Sequence, residues 1–308
     1  MIHPDYPTPS EIDAWCEEIL TRAEKCAAEP RRVEAESYSF ALGVRHVKDN
    51  GYLAFPSVAP LPPTKEFHCY WQPAAVGPAP MLFHVPGYGA EMSAHPVHAA
   101  QGFHVLHINP LGYATPKGPV APVIWPVMPD TVRSFGEKGY VDWLTDAAIA
   151  VRWALAQPNV QKERFAFFGT SQGGGGALLL ASVFSRLGCR AVAADEPYLT
   201  HFPRAYERGR ATAAHNMAFG PLDALPEPDK PRAWRAIGFV DTMSHAHRLT
   251  MPTLLTAGGA DGVCPPYTIE PLFEALPGTR SFTLMANERH GYTVPFGHLS
   301  AAWFRLYV

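Results

Sequence analysis

The sequence shows no excess of charge of either sign. Its 308 residues include 25 Lys and Arg against 28 Asp and Glu, a formal net charge of −3, without a basic run. Such a surface offers no stripe of cations that could neutralise phosphates. We therefore expect neither nucleic acid nor a membrane as a partner; a small neutral or mildly polar molecule fits better.

Cysteine is scarce, and long apolar stretches are missing. The five cysteines are odd in number, scattered and never spaced as C-x-x-C, so neither a disulfide framework nor a zinc site is indicated. The N-terminus lacks a basic segment followed by an apolar one, and nowhere do about 18 apolar residues follow one another. These features predict a soluble, cytoplasmic protein, although an export signal already removed would leave the same pattern.

Apolar residues are plentiful, at 47% of the chain, which is enough to bury one large core. From residue 80 onward, short apolar segments alternate with helical ones, as in a parallel sheet that is covered on both faces. We predict a single α/β domain over 1–308, with a doubly wound, mostly parallel sheet. Its strands are expected at 81–85, 104–109, 165–169, 191–195, 253–257 and 281–285.

An N-terminal helical extension over 1–35 precedes this sheet. Apolar residues recur in it at helical spacing, and Ser10 with Asp13 resembles a capping box, so a helix is predicted over 11–28. Further elements are expected on either side of the first parallel strands. They are two antiparallel strands at 39–46 and 66–71 and helices at 140–156 and 172–186.

Two stretches interrupt the alternation of strands and helices. Residues 112–139 are rich in Pro and Gly, and 197–248 carry many aromatic, His and Arg residues. Loops inserted at the carboxyl ends of parallel strands commonly build the pocket of such a sheet. We expect both stretches to wall the functional site, and their aromatic rings to bind substrate unless they serve core packing. The candidates are Tyr113, Trp125, Tyr198 and Phe202.

The pentapeptide at 169–173 carries the clearest chemical signal. Its sequence, GTSQG, matches G-x-S-x-G and stands between a predicted strand and a predicted helix. In this setting a sharp turn exposes Ser171 as a nucleophile, while glycines allow the backbones of strand and helix to approach closely. A flexible glycine loop is the alternative, but it explains poorly the four glycines Gly173–Gly176 at the head of an apolar helix.

A serine nucleophile needs a base, and that base needs a carboxylate to fix its tautomer. In this arrangement the acid follows the serine along the chain, and the histidine follows the acid. Asp261 and His290 come just after two predicted strands and are the expected acid and base. The rival acid is Asp195, at the end of another strand, and the rival base is His298, in a predicted terminal helix.

Acyl transfer also needs hydrogen-bond donors for the developing oxyanion. One donor is expected from the backbone amide of Gln172, directly after the nucleophile. The other is expected from the amide of Tyr88, in the loop after the strand at 81–85. Both roles use backbone atoms and are independent of what the side chains do.

Histidine is abundant, with fourteen copies, but its spacing does not favour a metal site. His104 and His107 fall on opposite faces of a predicted strand, and H-E-x-x-H is missing. We expect neither a metal nor a cofactor.

These motifs resemble the acetyl xylan esterase and cephalosporin C deacetylase family of α/β-hydrolases, over about residues 80–300. The resemblance is carried by GTSQGGG at the nucleophile, by DEPYLTHFPRA from Asp195, similar to D-x-P-[FY]-L-x-x-F-x-R-A, and by DGVCPP from Asp261, similar to D-x-x-x-P-P. It implies an α/β-hydrolase fold, a triad of Ser171, Asp261 and His290, and oxyanion donors at Tyr88 and Gln172.

Three places differ from the family pattern. An Arg-Gly-Gln after the strand at 104–109 is replaced by Leu111-Gly112-Tyr113, a His-Glu pair by His290-Gly291, and a His-Gly by Pro86-Gly87. In the family these features support a ring-shaped oligomer. The resemblance therefore implies the chemistry, and leaves a homo-oligomer and the sugar specificity open.

The expected activity is hydrolysis of a carboxylic ester with a small acyl group, acetyl foremost, on a sugar or another small molecule. The alternatives are a general short-chain carboxylesterase, a peptidase or a C–C bond hydrolase on the same fold, and a binding protein with a decayed site.

Overall fold

A computed structural model describes residues 3–33, 38–40, 43–45, 51–58, 66–88, 94–109, 114–115, 118–119, 138–208, 219–291 and 294–308. The strands in these ranges are β1 (Arg31–Arg32), β2 (Tyr38–Phe40), β3 (Gly43–Arg45), β4 (Tyr52–Pro56), β5 (Glu66–Gln72), β6 (Ala79–Val85), β7 (His104–Asn109), β8 (Ala114–Thr115), β9 (Gly118–Pro119), β10 (Val160–Thr170), β11 (Cys189–Asp195), β12 (Thr253–Gly258) and β13 (Arg280–Met285).

The helices flank these strands in chain order. They are α1 (Pro9–Lys25), α2 (Pro96–Ala100), α3 (Lys138–Leu155), α4 (Gln172–Val183), α5 (Phe202–Glu207), α6 (Lys230–Gly238), α7 (Pro266–Ala275) and α8 (Val294–Tyr307), with 3-10 turns at Ser185–Leu187, Glu227–Asp229 and Thr242–Arg248. None of these described helices combines the length and apolarity needed to cross a bilayer.

The centre of the molecule is a nine-stranded sheet in the order β1-β4-β5-β7-β6-β10-β11-β12-β13. The six strands from β7 to β13 run parallel, whereas β1, β4 and β5 extend one edge by antiparallel pairing. All six parallel strands were predicted from their short apolar runs. The predicted α/β fold with a mostly parallel sheet is confirmed.

Both faces of the sheet are covered, because alternate residues of each central strand belong to different apolar clusters. In β10, Phe165 and Phe167 join the larger cluster, which includes residues of α1, α3 and α4. Ala166 and Phe168 join the smaller one, with Phe304 of α8. This double coverage explains why the central strands are apolar along their whole length rather than at every second residue.

The predicted strand at 39–46 is wrong. Tyr38–Phe40 and Gly43–Arg45 instead pair with each other as a separate two-stranded hairpin. β5 pairs antiparallel with β7 on one side and with β4 on the other, and β4 had not been predicted. In β4 the residues from Tyr52 to Phe55 are all buried, so it lacks the polar-apolar alternation by which a half-exposed strand is found.

The N-terminal helix is present, but it begins earlier than the predicted residue 11. The capping box is formed by Thr8 and Glu11, because a Glu11 carboxylate oxygen accepts a hydrogen bond from the Thr8 backbone N–H at 2.8 Å. The predicted pairing of Ser10 with Asp13 is therefore wrong. Ile12 and Ile19 are fully buried, and α1 packs against α3 and α4.

Candidate active site

The turn between β10 and α4 holds Ser171 in a strained backbone conformation. Its φ of +59° and ψ of −124° lie in a region that residues other than glycine rarely adopt. Backbone hydrogen bonds hold the turn: the Ser171 N–H donates to the Asp195 carbonyl at 2.9 Å, and the Ser171 carbonyl accepts from the Tyr198 N–H at 2.9 Å. In this conformation the serine side chain projects from the carboxyl end of the sheet.

The glycines around Ser171 stand where neighbouring backbones almost touch. A Cβ at Gly173 would lie 2.1 Å from the Val85 carbonyl oxygen, and one at Gly175 would lie 2.1 Å from the Tyr198 carbonyl oxygen. Neither distance is compatible with a side chain. The glycine run therefore has a steric reason, as expected from the sequence, and it brings α4 against β6 and the segment after β11.

Ser171, His290 and Asp261 form a continuous chain of hydrogen bonds. The Ser171 hydroxyl lies 2.9 Å from His290 Nε2, and His290 Nδ1 lies 2.8 Å from Asp261 Oδ2. The other carboxylate oxygen of Asp261 accepts the backbone N–H groups of Val263 and Cys264, at 2.6 and 2.9 Å. With Nδ1–H donated to Asp261, Nε2 is free to accept a proton from the serine.

The surroundings of His290 favour its charged form. Burial by itself would lower the pKa of the imidazole, but the hydrogen bond and the negative charge of Asp261, with the charges of Glu196 and Asp195, outweigh it and raise the pKa. An imidazolium formed during proton transfer is therefore stabilised.

Glu196 is a further acid beside His290 that was not predicted. Its Oε2 lies 3.3 Å from His290 Nδ1 and accepts the Gly291 N–H at 2.9 Å. The side chain is fully buried, and burial raises its pKa to about 7, to which the charges of Asp195 and Asp261 also contribute. A signal was present in the sequence: an acid stands directly after a strand that ends at the same edge as the nucleophile.

Asp195 and His298, the alternative acid and base, lie in other surroundings. The carboxylate of Asp195 accepts hydrogen bonds from the hydroxyls of Thr170, at 3.1 Å, and Thr256, at 2.5 Å. It therefore joins the ends of neighbouring strands. His298 lies on α8 with an exposed side chain, and the imidazole next to Ser171 is that of His290.

Of the two residues predicted as oxyanion donors, Gln172 directly follows Ser171 and Tyr88 lies in the loop after β6. Gln172 is the first residue of α4, so its backbone amide belongs to the N-terminal turn of a helix, where N–H groups are available to an anion. Tyr88 follows β6 by three residues, and the close approach of Gly173 to Val85 and Pro86 brings the start of that loop against the first turn of α4. The Tyr88 ring is 45% exposed.

The predicted substrate-binding aromatics fall into two groups. Tyr113 and Trp125 lie outside the described residues. Tyr198 and Phe202 are described, but their side chains are only 5% and 1% exposed and pack edge to face with each other at 5.7 Å. For these two rings, this burial favours core packing, the alternative that the sequence left open, over substrate contact.

Among the described residues, two groups have donor atoms close enough to hold a metal ion. One is Asp261, Cys264 and His290, whose acid and imidazole already bond to each other. The other is His84, His95 and His107, in which the Nδ1 atoms of His84 and His107 lie 2.9 Å apart in a hydrogen bond. Burial lowers the pKa of all three imidazoles, so they are neutral. A metal ion could enter only by displacing that hydrogen bond.

A family model and solved structures match most of the chain. The family model described as acetyl xylan esterase (AXE1) matches residues 69–306. Acetyl xylan esterase 1 from Thermoanaerobacterium sp. JW/SL YS485 has a TM-score of 0.79 at 19% identity, over 98% of this chain and 95% of that one. The acetyl xylan esterase from Paenibacillus sp. R4 has a TM-score of 0.77 at 18% identity, over 100% of this chain and 98% of that one.

More distant structures share the fold as well. Est1E from Butyrivibrio proteoclasticus has a TM-score of 0.55 at 14% identity, over 78% of this chain and 93% of that one. An acylaminoacyl peptidase from Pyrococcus horikoshii has a TM-score of 0.54 at 14% identity, and the match spans 92% of this chain but only 41% of the peptidase. At these identities the likeness shows the fold.

Proposed function

The chain belongs to the acetyl xylan esterase family, and from this premise we propose that it is a serine esterase that removes a small acyl group, acetyl foremost, from a sugar or another small molecule. The observation that carries the proposal is the hydrogen-bond chain from the Ser171 hydroxyl through His290 to Asp261, with distances of 2.9 and 2.8 Å. Such a chain activates a hydroxyl that is otherwise a weak nucleophile.

In the first half of the reaction, His290 Nε2 takes the proton of the Ser171 hydroxyl as Oγ bonds to the acyl carbon. The carbonyl electrons move onto oxygen, where the amides of Tyr88 and Gln172 donate hydrogen bonds. The carbonyl then re-forms, the bond to the alcohol oxygen breaks, and the imidazolium protonates that oxygen. The products of this half are the free alcohol and an acyl-Ser171 enzyme.

In the second half, water takes the place of the alcohol. His290 removes a proton from the water molecule as its oxygen attacks the acyl carbon, and the same imidazolium then protonates Ser171 Oγ as the acyl bond breaks. The carboxylic acid leaves, and the free serine is restored. Asp261 keeps Nδ1 protonated throughout, so Nε2 faces the reacting atoms in both halves.

The direct test measures release of p-nitrophenol from p-nitrophenyl acetate by the natural protein and by Ser171→Ala. We expect turnover to disappear in the variant and a fluorophosphonate probe to label the natural protein alone. Undiminished turnover in Ser171→Ala would exclude this mechanism. A labelled protein without ester turnover would point to another acyl substrate, such as an amide.

A second experiment addresses the acyl group and the alcohol. Rates are compared for acetyl, butyryl and longer p-nitrophenyl esters, and then for acetylated xylo-oligosaccharides and an acetylated cephalosporin. An esterase that is specific for small acyl groups should hydrolyse the acetyl ester fastest of the series. If butyryl or longer esters are equally good substrates, the protein is a general carboxylesterase.

A further inference from the structure

Glu196 presents a second carboxylate to the same nitrogen atom of His290 that Asp261 binds. Its Oε2 lies 3.3 Å from Nδ1, against 2.8 Å for Asp261 Oδ2. The two acids approach from different elements, since Asp261 follows β12 and Glu196 follows β11. The backbone of Glu196 has a φ of +43°, in the left-handed region that non-glycine residues rarely adopt. Its conformation thus has an energetic cost of its own.

Burial of an ionised acid is unfavourable unless an opposite charge compensates it. The Glu196 side chain is fully buried, and its Oε1 has no hydrogen-bond partner within the described part of the chain. The ionisable groups around it are Asp195, Asp261 and the Cys264 thiol, all of which are acids, and His290. The imidazolium of His290 is therefore the cation in this set that can balance a Glu196 carboxylate.

A glutamine would satisfy the Gly291 N–H equally well without a charge to desolvate. The hydrogen bond to Gly291 therefore does not by itself account for an acid at this position. What only an acid supplies is negative charge beside Nδ1, and that charge interacts most strongly with the imidazolium formed during proton transfer.

We propose that Glu196 is a positioning residue that acts through His290, forming with Asp261 a clamp of two carboxylates on the Nδ1–H group. This inference rests on the proposed serine esterase mechanism. Asp261 makes the shorter contact and fixes the tautomer, whereas Glu196 adds charge stabilisation when Nε2 has taken the serine proton. Glu196 and His290 titrate as an interacting pair, because the Glu196 charge raises the pKa of His290 and the His290 charge lowers that of Glu196, opposing the rise that burial causes.

The proposal makes two predictions for Glu196→Gln. The imidazolium loses a stabilising charge, so His290 gives up its proton at lower pH and the acid limb of the kcat/KM profile moves to lower pH. Proton transfer in the transition state also loses stabilisation, so kcat on the plateau falls by about tenfold, which corresponds to one charge-assisted hydrogen bond. A merely structural role for Glu196 would lower stability or kcat without moving the acid limb.

The two acids should also partly replace each other. When Asp261→Ala removes the nearer carboxylate, Glu196 still lies beside Nδ1 and can accept its proton. We therefore expect Glu196→Gln to lower kcat by about 100-fold in the Asp261→Ala background, against about tenfold in the natural protein. The effects of substituting two residues that contact the same group are not additive.

The experiment records kcat/KM for p-nitrophenyl acetate against pH for the natural protein, Glu196→Gln, Asp261→Ala and the double variant. Glu288→Gln is the matched control, because it removes a negative charge from an exposed position two residues before His290, and its profile should not change. Glu196→Met, which also removes the charge at similar volume, should move the limb in the same direction. Thermal unfolding of every variant reports whether it is folded.

The outcomes separate this inference from the proposed function. An acid limb that moves with Glu196→Gln and Glu196→Met but not with Glu288→Gln supports the clamp. An unmoved limb in folded Glu196 variants overturns it, as does an equal effect of Glu196→Gln with and without Asp261. If Ser171→Ala retains turnover, the proposed function itself fails, whatever the Glu196 variants do.

Discussion

Gly175→Ala perturbs the packing around Ser171 without altering any proposed catalytic atom. The added Cβ would lie 2.1 Å from the Tyr198 carbonyl oxygen and 2.9 Å from the Leu199 Cβ. Ordinary contacts of a Cβ with such atoms begin at about 3.4 Å, so α4 and the segment after β11 would have to separate by about 1 Å. The nearest obstacle is backbone, which cannot rotate away as a long side chain can.

The expected destabilisation is at the upper end of the range for overpacked cores, about 3 kcal/mol. For a chain of this size each kcal/mol lowers Tm by roughly 2 °C, so the variant should unfold about 6 °C below the natural protein. Activity should also fall, since the Gly175 N–H donates to the Ser171 carbonyl at 3.1 Å and any shift of α4 displaces the nucleophile.

Scanning calorimetry together with p-nitrophenyl acetate turnover measures both effects. Gly220→Ala is the control, because a Cβ there meets nothing within 4 Å and the residue is exposed; its Tm should stay within about 1 °C. A Gly175→Ala protein with unchanged Tm and turnover would show that the glycine run is not required by backbone contact, and the steric reasoning would be refuted.

Two further predictions concern Asp261, the proposed acid of the triad, and the buried His98. Asp261→Asn should lower kcat for p-nitrophenyl acetate by roughly 10²- to 10⁴-fold with the protein still folded, because the amide no longer fixes the His290 tautomer and Glu196 takes over only part of that role; a loss below tenfold in steady-state assays would contradict this role. Burial lowers the pKa of His98 to about 4. Between pH 6.5 and 4 the His98 imidazole is therefore protonated in the unfolded chain but not in the folded one. The free energy of unfolding then falls as the pH falls, by up to about 1.4 kcal/mol per pH unit from this residue. The test is urea unfolding at pH 7 and pH 5 of the natural protein and of His98→Gln, whose amide can still bond to Ser300. The free energy of unfolding should fall less between the two pH values in the variant, and an equal fall in both proteins would exclude the explanation.

The extent to which the sequence predicts this structure depends on how local each signal is. The parallel strands are found because a strand buried on both faces is a short continuous apolar run, and such a run needs no knowledge of its neighbours. Strand β4 escapes prediction although Tyr52–Phe55 is also a buried apolar run, because that run is only four residues long and ends at Pro56. The capping box at Thr8 lies two residues before the predicted one, because element ends depend on contacts that a pattern does not contain. The strand predicted at 39–46 is instead two short strands, Tyr38–Phe40 and Gly43–Arg45, that pair with each other.

The functional residues divide in the same way. Ser171, Asp261 and His290 could be singled out because each stands in a motif or just beyond a strand, in a known chain order. Glu196 also stands just beyond a strand, but that position does not distinguish it from Asp195, because its approach to His290 depends on which strands are neighbours and on a left-handed backbone turn. Tyr198 was expected at the substrate for its residue type and location alone, and its burial shows how little an aromatic side chain says about which way it points.

The order of the strands brings the four site residues together. Ser171, Glu196, Asp261 and His290 follow β10, β11, β12 and β13, which are adjacent in the sheet in that same order. The register aligns their ends: Thr170 is opposite Asp195, which is opposite Thr256.

Asp195 secures this alignment, because its carboxylate accepts the hydroxyls of both flanking threonines and its carbonyl accepts the Ser171 N–H. The adjacent acids Asp195 and Glu196 therefore have different tasks. The Asp195 carboxylate points along the edge of the sheet and holds the strand ends in register. The left-handed backbone turn at Glu196 directs its carboxylate toward the His290 imidazole. The Asp195 carboxylate accepts the strand hydroxyls, whereas the Asp261 carboxylate lies 2.8 Å from His290 Nδ1. This difference is the physical reason to propose Asp261, and not Asp195, as the acid that fixes the histidine tautomer.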